Sequence, residues 1–452
     1  MMHARWLGLS ALLVIATGGC KGNAPEVLTT GAGDGTNVSG EIPPQPPGVP
    51  AGGGAPVVIE KELMITDPSV VDDRRASNAA GGPWSFRWHM EQLTPSGVDT
   101  EVMVKNWLAT YGTSTIAGTP VAARDVEAKL VCPWMRLTPE NQCDETCGAC
   151  AGRKLDLAKA PFKLMAIVNR TDIPEGPCTQ GSEGRFVYGG VDPTTGAPIE
   201  LTVIFEYSLQ GGSAMAWARS FHTVAELPFG EAFNERLEGI TRLFSENANA
   251  FVPRLAHLRT NEHAFGAQWE LRQFETGKNG FVPTPLTNTP RADLDNSSDL
   301  ATHITANAKR IALGDNALES SRLAAVAQTP SESFRWMSQK PNDPASRLFS
   351  RNTCNGCHGG EHAADDAVQF RHIQLGAKGE TLLSKFLIDP DKRNQGELIR
   401  RAQIVSRLLA ARSCSDQTGG GYTSSATGSG GGGVLAESSA ADRGRAGSFV
   451  VH

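Results

Sequence analysis

The chain has 452 residues, a formal net charge of −6, and 20% charged against 40% hydrophobic residues. That balance supports a packed core and excludes a highly charged, unstructured chain. With no dense Lys/Arg patch, nothing in it argues for nucleic acid as a partner.

Residues 1–19 read as a secretory signal peptide: Arg5 precedes an apolar run, Leu7 to Ala16, that is too short to span a bilayer. Thr17-Gly18-Gly19-Cys20 follows and resembles a bacterial lipobox, which makes Cys20 the expected lipidated N-terminus. Ordinary signal cleavage nearby is the alternative. Either way the mature chain is expected to be extracytoplasmic, where disulfides persist. No later apolar run is long enough for a transmembrane helix, so the expected membrane contact is the lipid, on a bacterial membrane. Residues 20–57 are Pro/Gly-rich and read as a tether from that lipid.

Residues 58–290 are expected to form an α+β domain containing disulfides. Val57-Val58-Ile59 and Leu63-Met64-Ile65 look extended. Trp84 to Met90 is an aromatic stripe; His89 and Met90 are possible haem ligands by residue type, but such a stripe reads first as core. Thr100 to Tyr111 has helical periodicity, with Val102, Val104, Trp107, Leu108 and Tyr111 on one side. Residues 113–160 show little periodicity and carry Cys132, Cys143, Cys147 and Cys150. With Cys178 and Cys414 these make six cysteines, enough for three disulfides, and in an oxidising compartment disulfides are preferred over a four-thiolate zinc knuckle.

Phe162 to Val168, Arg185 to Gly189 and Leu201 to Tyr207 read as strands, the last two joined by Asp192-Pro193-Thr194-Thr195-Gly196, a turn sequence. Asp172 and Arg185 at the strand ends read as a solvated or structural ion pair before they read as a binding site. Residues 213–250 are expected to be helical, with Phe233, Leu237, Ile240 and Phe244 spaced 4, 3 and 4 apart. His222 in this region reads as core or surface. Arg259, Asn261 and Glu262 form a polar cluster expected on a loop, and Trp269 to Phe274 alternates like a strand returning to the sheet.

Residues 291–414 are expected to be mostly helical and cytochrome c-like. At their centre, Cys354-Asn355-Gly356-Cys357-His358 is the C-x-x-C-H pattern of covalent haem attachment. Two thiols at that spacing can add to the two porphyrin vinyl groups, and the following His can ligate the iron. Haem c is therefore the expected cofactor, with Cys354 and Cys357 as attachment points and His358 as axial ligand. The competing readings are a CxxC disulfide or half a zinc site. His372 is the first candidate for the distal ligand and Met337 the weaker one; His362, four residues after His358, would project the same way if the stretch were helical. Leu382 to Leu387 reads as a short helix and Gln395 to Arg412 as a longer one. Residues 415–452 are a Gly/Ser-rich tail expected to be disordered.

Three stretches carry a resemblance: Glu62 to Val71, then Ala166 to Asp172 with Val203 to Tyr207, and finally Leu348 to Glu361 with Phe370 to Ile373. Together they resemble a family of secreted proteins and lipoproteins from myxobacteria and related soil bacteria that has no established activity. The resemblance implies a secreted protein with a single CxxCH motif and names no substrate. Two functions are therefore expected. The first is a tethered cytochrome-like protein with a redox partner, or one that binds small molecules at its haem. The second is a non-haem secreted binding or surface protein with a Cys354–Cys357 disulfide. No G-x-S-x-G, H-E-x-x-H or P-loop pattern supports a hydrolase, so whether the chain is an enzyme stays open.

Overall fold

Alternation places β-branched and aromatic residues on one side of successive strands, and the computed structural model builds an antiparallel sheet from them. It describes residues 56–173, 183–246, 255–312, 314–329, 336, 344–359, 371–388 and 396–411. In chain order the strands are β1 (Met64–Ile65), β2 (Ser114–Ile116), β3 (Thr119–Val121), β4 (Phe162–Arg170), β5 (Glu183–Val191) and β6 (Pro198–Ser208). Then come β7 (Leu255–Glu262), β8 (Glu270–Gly277), β9 (Gly280–Thr284), β10 (Ala327–Gln328), β11 (Ile373–Leu375) and β12 (Thr381–Leu383). The main sheet runs β1-β4-β5-β6-β7-β8-β10, with β9 also pairing β8; β2-β3 and β11-β12 are separate hairpins. The chain is therefore mixed α+β around a large antiparallel sheet.

Register decides the two faces. Phe186 pairs with Phe205, and Phe205 with Leu258, so these share one face; Arg185 pairs with Glu206 and Val187 with Ile204 on the other. The first face holds the larger apolar core. It is covered by helices Phe86–Leu93, Thr100–Ala109 and Glu231–Ser245, whose Phe86, Trp107 and Phe244 pack on the strand aromatics. Gly184 makes room for this: a Cβ there would lie 2.5 Å from the Phe244 ring. His89 is buried in the same aromatic core, and burial pulls its imidazole down to about 3.

The second face is covered by the C-terminal part of the chain. Leu375, Leu387 and Leu398 pack with Met64, Met165, Val168, Val187 and Ile204. Helix Glu397–Ala410 packs Val405 and Leu408 against Leu63, Ala214 and Ala218. Among the described residues after 290, β10 joins the sheet, the β11–β12 hairpin and helices Lys385–Ile388 and Glu397–Ala410 cover this face, and helices Ser298–Ala306, Ala308–Ala312 and Pro344–Arg351 pack with Trp336 in a separate apolar cluster that leads into helix Cys354–His358.

Several local expectations are corrected. Val57-Val58-Ile59 leads into the short helix Ile59–Glu62 rather than a strand. Its first turn is held by a Glu62 carboxylate that accepts from the Val58 amide at 2.8 Å. Met103, not Val102, faces the core from helix Thr100–Ala109, and Val102 is exposed. Arg259, Asn261 and Glu262 lie in the interior strand β7, not on a loop. Leu382 and Leu383 belong to β12, and the helix begins only at Lys385.

The loop-rich stretch is tied by Cys132–Cys147 and Cys143–Cys150. Those four sulfurs are thus used as two crosslinks, not as a four-thiolate zinc site. Cys20, Cys178, Met337, His362 and Cys414, like residues 20–55 of the expected tether and the expected tail, lie outside the described residues. Among the described residues, no helix is long and apolar enough to cross a membrane.

Candidate functional site

The CxxCH residues form the five-residue helix Cys354–His358. Thr353 starts it, its hydroxyl accepting from the Gly356 amide at 3.0 Å. A Cβ on Gly356 would lie 2.1 Å from the Ser350 carbonyl oxygen, so this glycine is needed for the turn to fold onto the end of helix Pro344–Arg351. Close approach of a ligand is not what demands it. Asn355 accepts from the Trp336 indole at 2.7 Å, and the Cys354 amide donates to the Thr289 hydroxyl at 2.9 Å. All five residues are buried.

Cys354 and Cys357 are free thiols, unlike the four cysteines of the loop-rich stretch. Cys354 packs with Trp269, Leu271, Leu286 and Ala327. Burial raises both thiols, Cys357 to about 12.

The structure brings His358 and His372 together. Their rings stack with centres 4.5 Å apart and planes 29° apart. Trp269 stacks on His358 at 5.1 Å, and Phe386 lies against His372 at 4.6 Å. Four rings, from the approach to β8, the motif helix, the start of β11 and helix Lys385–Ile388, are thus in successive contact. The imidazoles are fixed at their edges. His358 Nδ1 lies 3.4 Å from the Asn261 side-chain amide, whose oxygen accepts from the Trp269 indole at 2.6 Å. His372 Nδ1 lies 3.0 Å from the Ser384 hydroxyl, and its Nε2 lies 3.5 Å from Cys357 Sγ.

A cavity adjoins the two histidines, above the second face of the sheet. Met64, Val168, Val187, Ile204, Ile373 and Leu387 give it apolar walls, and Arg185 and Arg401 also line it. Both arginines are buried and belong to a network crossing that face. Arg185 pairs with Glu183 at 2.6 Å and with Glu206 at 3.3 Å, and Arg259 reaches Glu206 at 3.4 Å. Arg170 pairs with Asp172 at 2.9 Å, and Arg401 with Glu397 at 3.0 Å. Asp172 and Arg185, expected as one pair, are instead buried in different pairs. Burial opposes ionisation of Glu206, yet the charges of Arg185 and Arg259 hold its carboxyl well below the usual range. Burial and the charge of Arg170 lower Arg401 to about 10.

The donor set fits haem attachment in kind: two free thiols, an imidazole on the same helix, and an adjoining apolar cavity. His372 does not stand opposite His358 in this arrangement. Two imidazoles bonded at about 2 Å to one iron from opposite sides keep their ring centres about 6 Å apart, with the macrocycle between them. A stack at 4.5 Å leaves no such space. His89 lies in the core on the other face of the sheet, and His222 pairs with Glu62 at 3.0 Å.

Asn261, Trp269, Ser384 and Arg401 were not singled out as site residues from sequence. The one available signal was alternation in β7, where Arg259 and Asn261 share a face with His257. No family model, curated protein or solved structure matches this chain.

Proposed function

We propose that this chain is a lipid-anchored, extracytoplasmic bacterial protein carrying one c-type haem on Cys354 and Cys357, with His358 as axial ligand. It would pass electrons to a partner protein or bind small molecules at the haem. The observation that supports this reading is His358 lining an apolar-walled cavity while two free thiols sit on the same short helix. The proposal includes a cytochrome c-like role for the helices of residues 291–414, with the sheet face as the opposite wall. The resemblance to secreted myxobacterial lipoproteins supports the setting.

When bound, haem supplies one-electron chemistry and an iron site for small molecules. The chain's own residues do the rest. Asn261 holds the Nδ1 edge of His358 and is itself held by Trp269. Because the Asn261 oxygen is taken by the Trp269 indole, its amide nitrogen faces His358 Nδ1, and this contact fixes the orientation of the ring. Met64, Val168, Val187 and Ile204 give the cavity apolar walls. Arg185 and Arg401, each already paired with a buried carboxylate, also line the cavity and would be the donors available to an anionic group of a bound cofactor.

The test is expression of the full chain with its export signal in a host with haem-maturation machinery, followed by intact mass and a pyridine haemochrome spectrum. One added haem mass, absent from Cys354→Ser/Cys357→Ser, is expected. A chain that emerges with its unmodified mass from a host that matures a control cytochrome refutes the proposal.

A further inference from the structure

The lining of the cavity between the sheet and its C-terminal cover selects an occupant by charge. We infer that, in the chain without haem, this cavity is a binding site for a small monocarboxylate with a short apolar body, held by Arg185. The cavity is the one in the haem proposal, but the inference does not rest on that reading, and the two occupants exclude each other.

Three observations carry the inference. The first is the chemistry of the lining. Apolar walls come from both the sheet and the cover, and the polar members are Arg185, Arg401, Thr202, Asn261, His358 and His372. None of the lining residues is a carboxylate. The buried carboxylates of the network, Asp172, Glu183, Glu206 and Glu397, pair with arginines without lining the cavity. A cation would meet no counter-charge in this wall, and a wholly apolar molecule would leave a buried guanidinium unmatched.

The second is a donor that the chain does not use. Arg185 is 4% exposed and donates from Nε at 3.0 Å and from Nη2 at 2.6 Å, both to Glu183. Nη2 is also the atom nearest Glu206, at 3.3 Å. Nη1 makes no hydrogen bond to the described chain, although Arg185 lines the cavity. A buried N–H left unmet is costly, and a carboxylate oxygen entering the cavity meets it with a charge-assisted bond.

The third is the sign of the groups opposite. The Asn261 oxygen is taken by the Trp269 indole, so its amide N–H faces Nδ1 of His358. The neutral ring then carries its proton on Nε2, and His358 enters the lining as a donor. From the cover, Arg401 shares Asp172 and Glu397 with Arg170, Arg351 and Arg400, so guanidinium outnumbers carboxylate there among the described residues. The lowering of Arg401 to about 10, by burial and by the charge of Arg170, has the sign that such an excess produces.

A single negative charge matches this lining. A dianion such as phosphate or a dicarboxylate would bury a second charge against hydrocarbon. The carboxylate is assigned to the Arg185 side and the apolar body to the walls formed by Val187 and Ile204 of the sheet and Ile373 and Leu387 of the cover. A ligand touching both layers ties the cover to the sheet, and binding to the folded chain alone raises its melting temperature.

The experiment uses the full chain made without haem-maturation machinery. The probes are acetate, butyrate, hexanoate and octanoate, with their primary amides, phosphate and succinate as comparisons, read by isothermal titration and thermal melting. Saturable binding of at least one monocarboxylate and a raised melting temperature are expected, with its amide at least about tenfold weaker for want of one charge-assisted hydrogen bond. Arg185→Gln should weaken the acid by a similar factor, and Ile204→Phe, which fills the cavity from the sheet, should abolish binding. If these variants do not fold, the comparison of acid with amide on the wild-type chain decides. No saturable binding of any of these acids up to about 10 mM overturns the inference. Equal binding of acid and amide, phosphate binding as tightly as the best acid, or undiminished binding in folded Arg185→Gln overturns it as well. A chain that binds a monocarboxylate yet never gains haem in the maturation host supports this inference and refutes the haem proposal alone. A chain that gains haem there but binds no carboxylate without it does the reverse.

Discussion

Glu206→Gln is the sharpest test of the buried network under the cavity. Glu206 is fully buried and has Arg185 at 3.3 Å, Arg259 at 3.4 Å and His257 at 3.6 Å. The amide keeps the size of the side chain and removes its charge. Arg185 retains Glu183 at 2.6 Å. Arg259, 2% exposed, retains only the neutral Gln273 oxygen at 3.0 Å among the described residues. A pair of unit charges at this separation is worth about 5 kcal/mol at an effective dielectric of about 20. The hydrogen bonds of the new amide offset part of that, which leaves a loss of ~3–5 kcal/mol, the usual cost of breaking one side of a buried pair. Urea denaturation followed by tryptophan fluorescence should show this as a lowered midpoint with an unchanged slope. Adding Arg259→Met should recover part of the loss, because an apolar side chain then replaces the stranded charge. A single-variant loss below about 1 kcal/mol would mean that water reaches the network and would refute the reasoning.

Three further outcomes follow from the same structure. Asp172, Glu206 and Glu397 are held below the usual carboxyl range, because nearby arginines outweigh the burial that opposes ionisation. Folded-state values below the unfolded ones give stability that is complete above about pH 4–5 and lost as pH falls through the folded values. The urea midpoint should therefore hold from pH 7 to 5 and drop steeply below about pH 4; a flat profile down to pH 3 counts against it. Gly184→Ala should cost ~1–3 kcal/mol by driving a Cβ into the Phe244 ring, and Phe244→Leu should relieve it in the double variant; additive losses would argue against the contact. Cys132→Ser/Cys147→Ser opens a crosslink of sequence separation 15 and should lose ~2–4 kcal/mol in thermal denaturation, while a loss near zero would mean the loop is ordered without it.

Much of the architecture was legible from periodicity alone. Helix Glu231–Ser245 and strands β4, β5, β6 and β8 follow their apolar spacing, and Asp192 to Gly196 marks the turn between β5 and β6. What misled was polarity. Arg259, Asn261 and Glu262 read as a loop because strands with this much charge are seldom buried. In the structure Arg259 and Asn261 are buried on the second face, where Arg259 meets Glu206, while Glu262 is buried on the first face against Arg124. Likewise Leu382 and Leu383 pair with Ile373 and Gln374 in a hairpin, a partnership between residues too far apart to leave a local signal.

The sequence by itself determined the CxxCH motif, the spacing of its donors and the cysteine pool for crosslinks, because each of these is a local pattern. It also listed His372, by type and distance along the chain. Only the tertiary structure decided where His372 stands: on the same side as Cys357 and stacked on His358, 3.5 Å from the thiol rather than across a gap from the imidazole. That position depends on Ser384, Asn261 and Trp269, which reach the centre from three separate strands or their flanks. Convergence of this kind is set by how layers pack on the sheet, and no spacing along one chain encodes it.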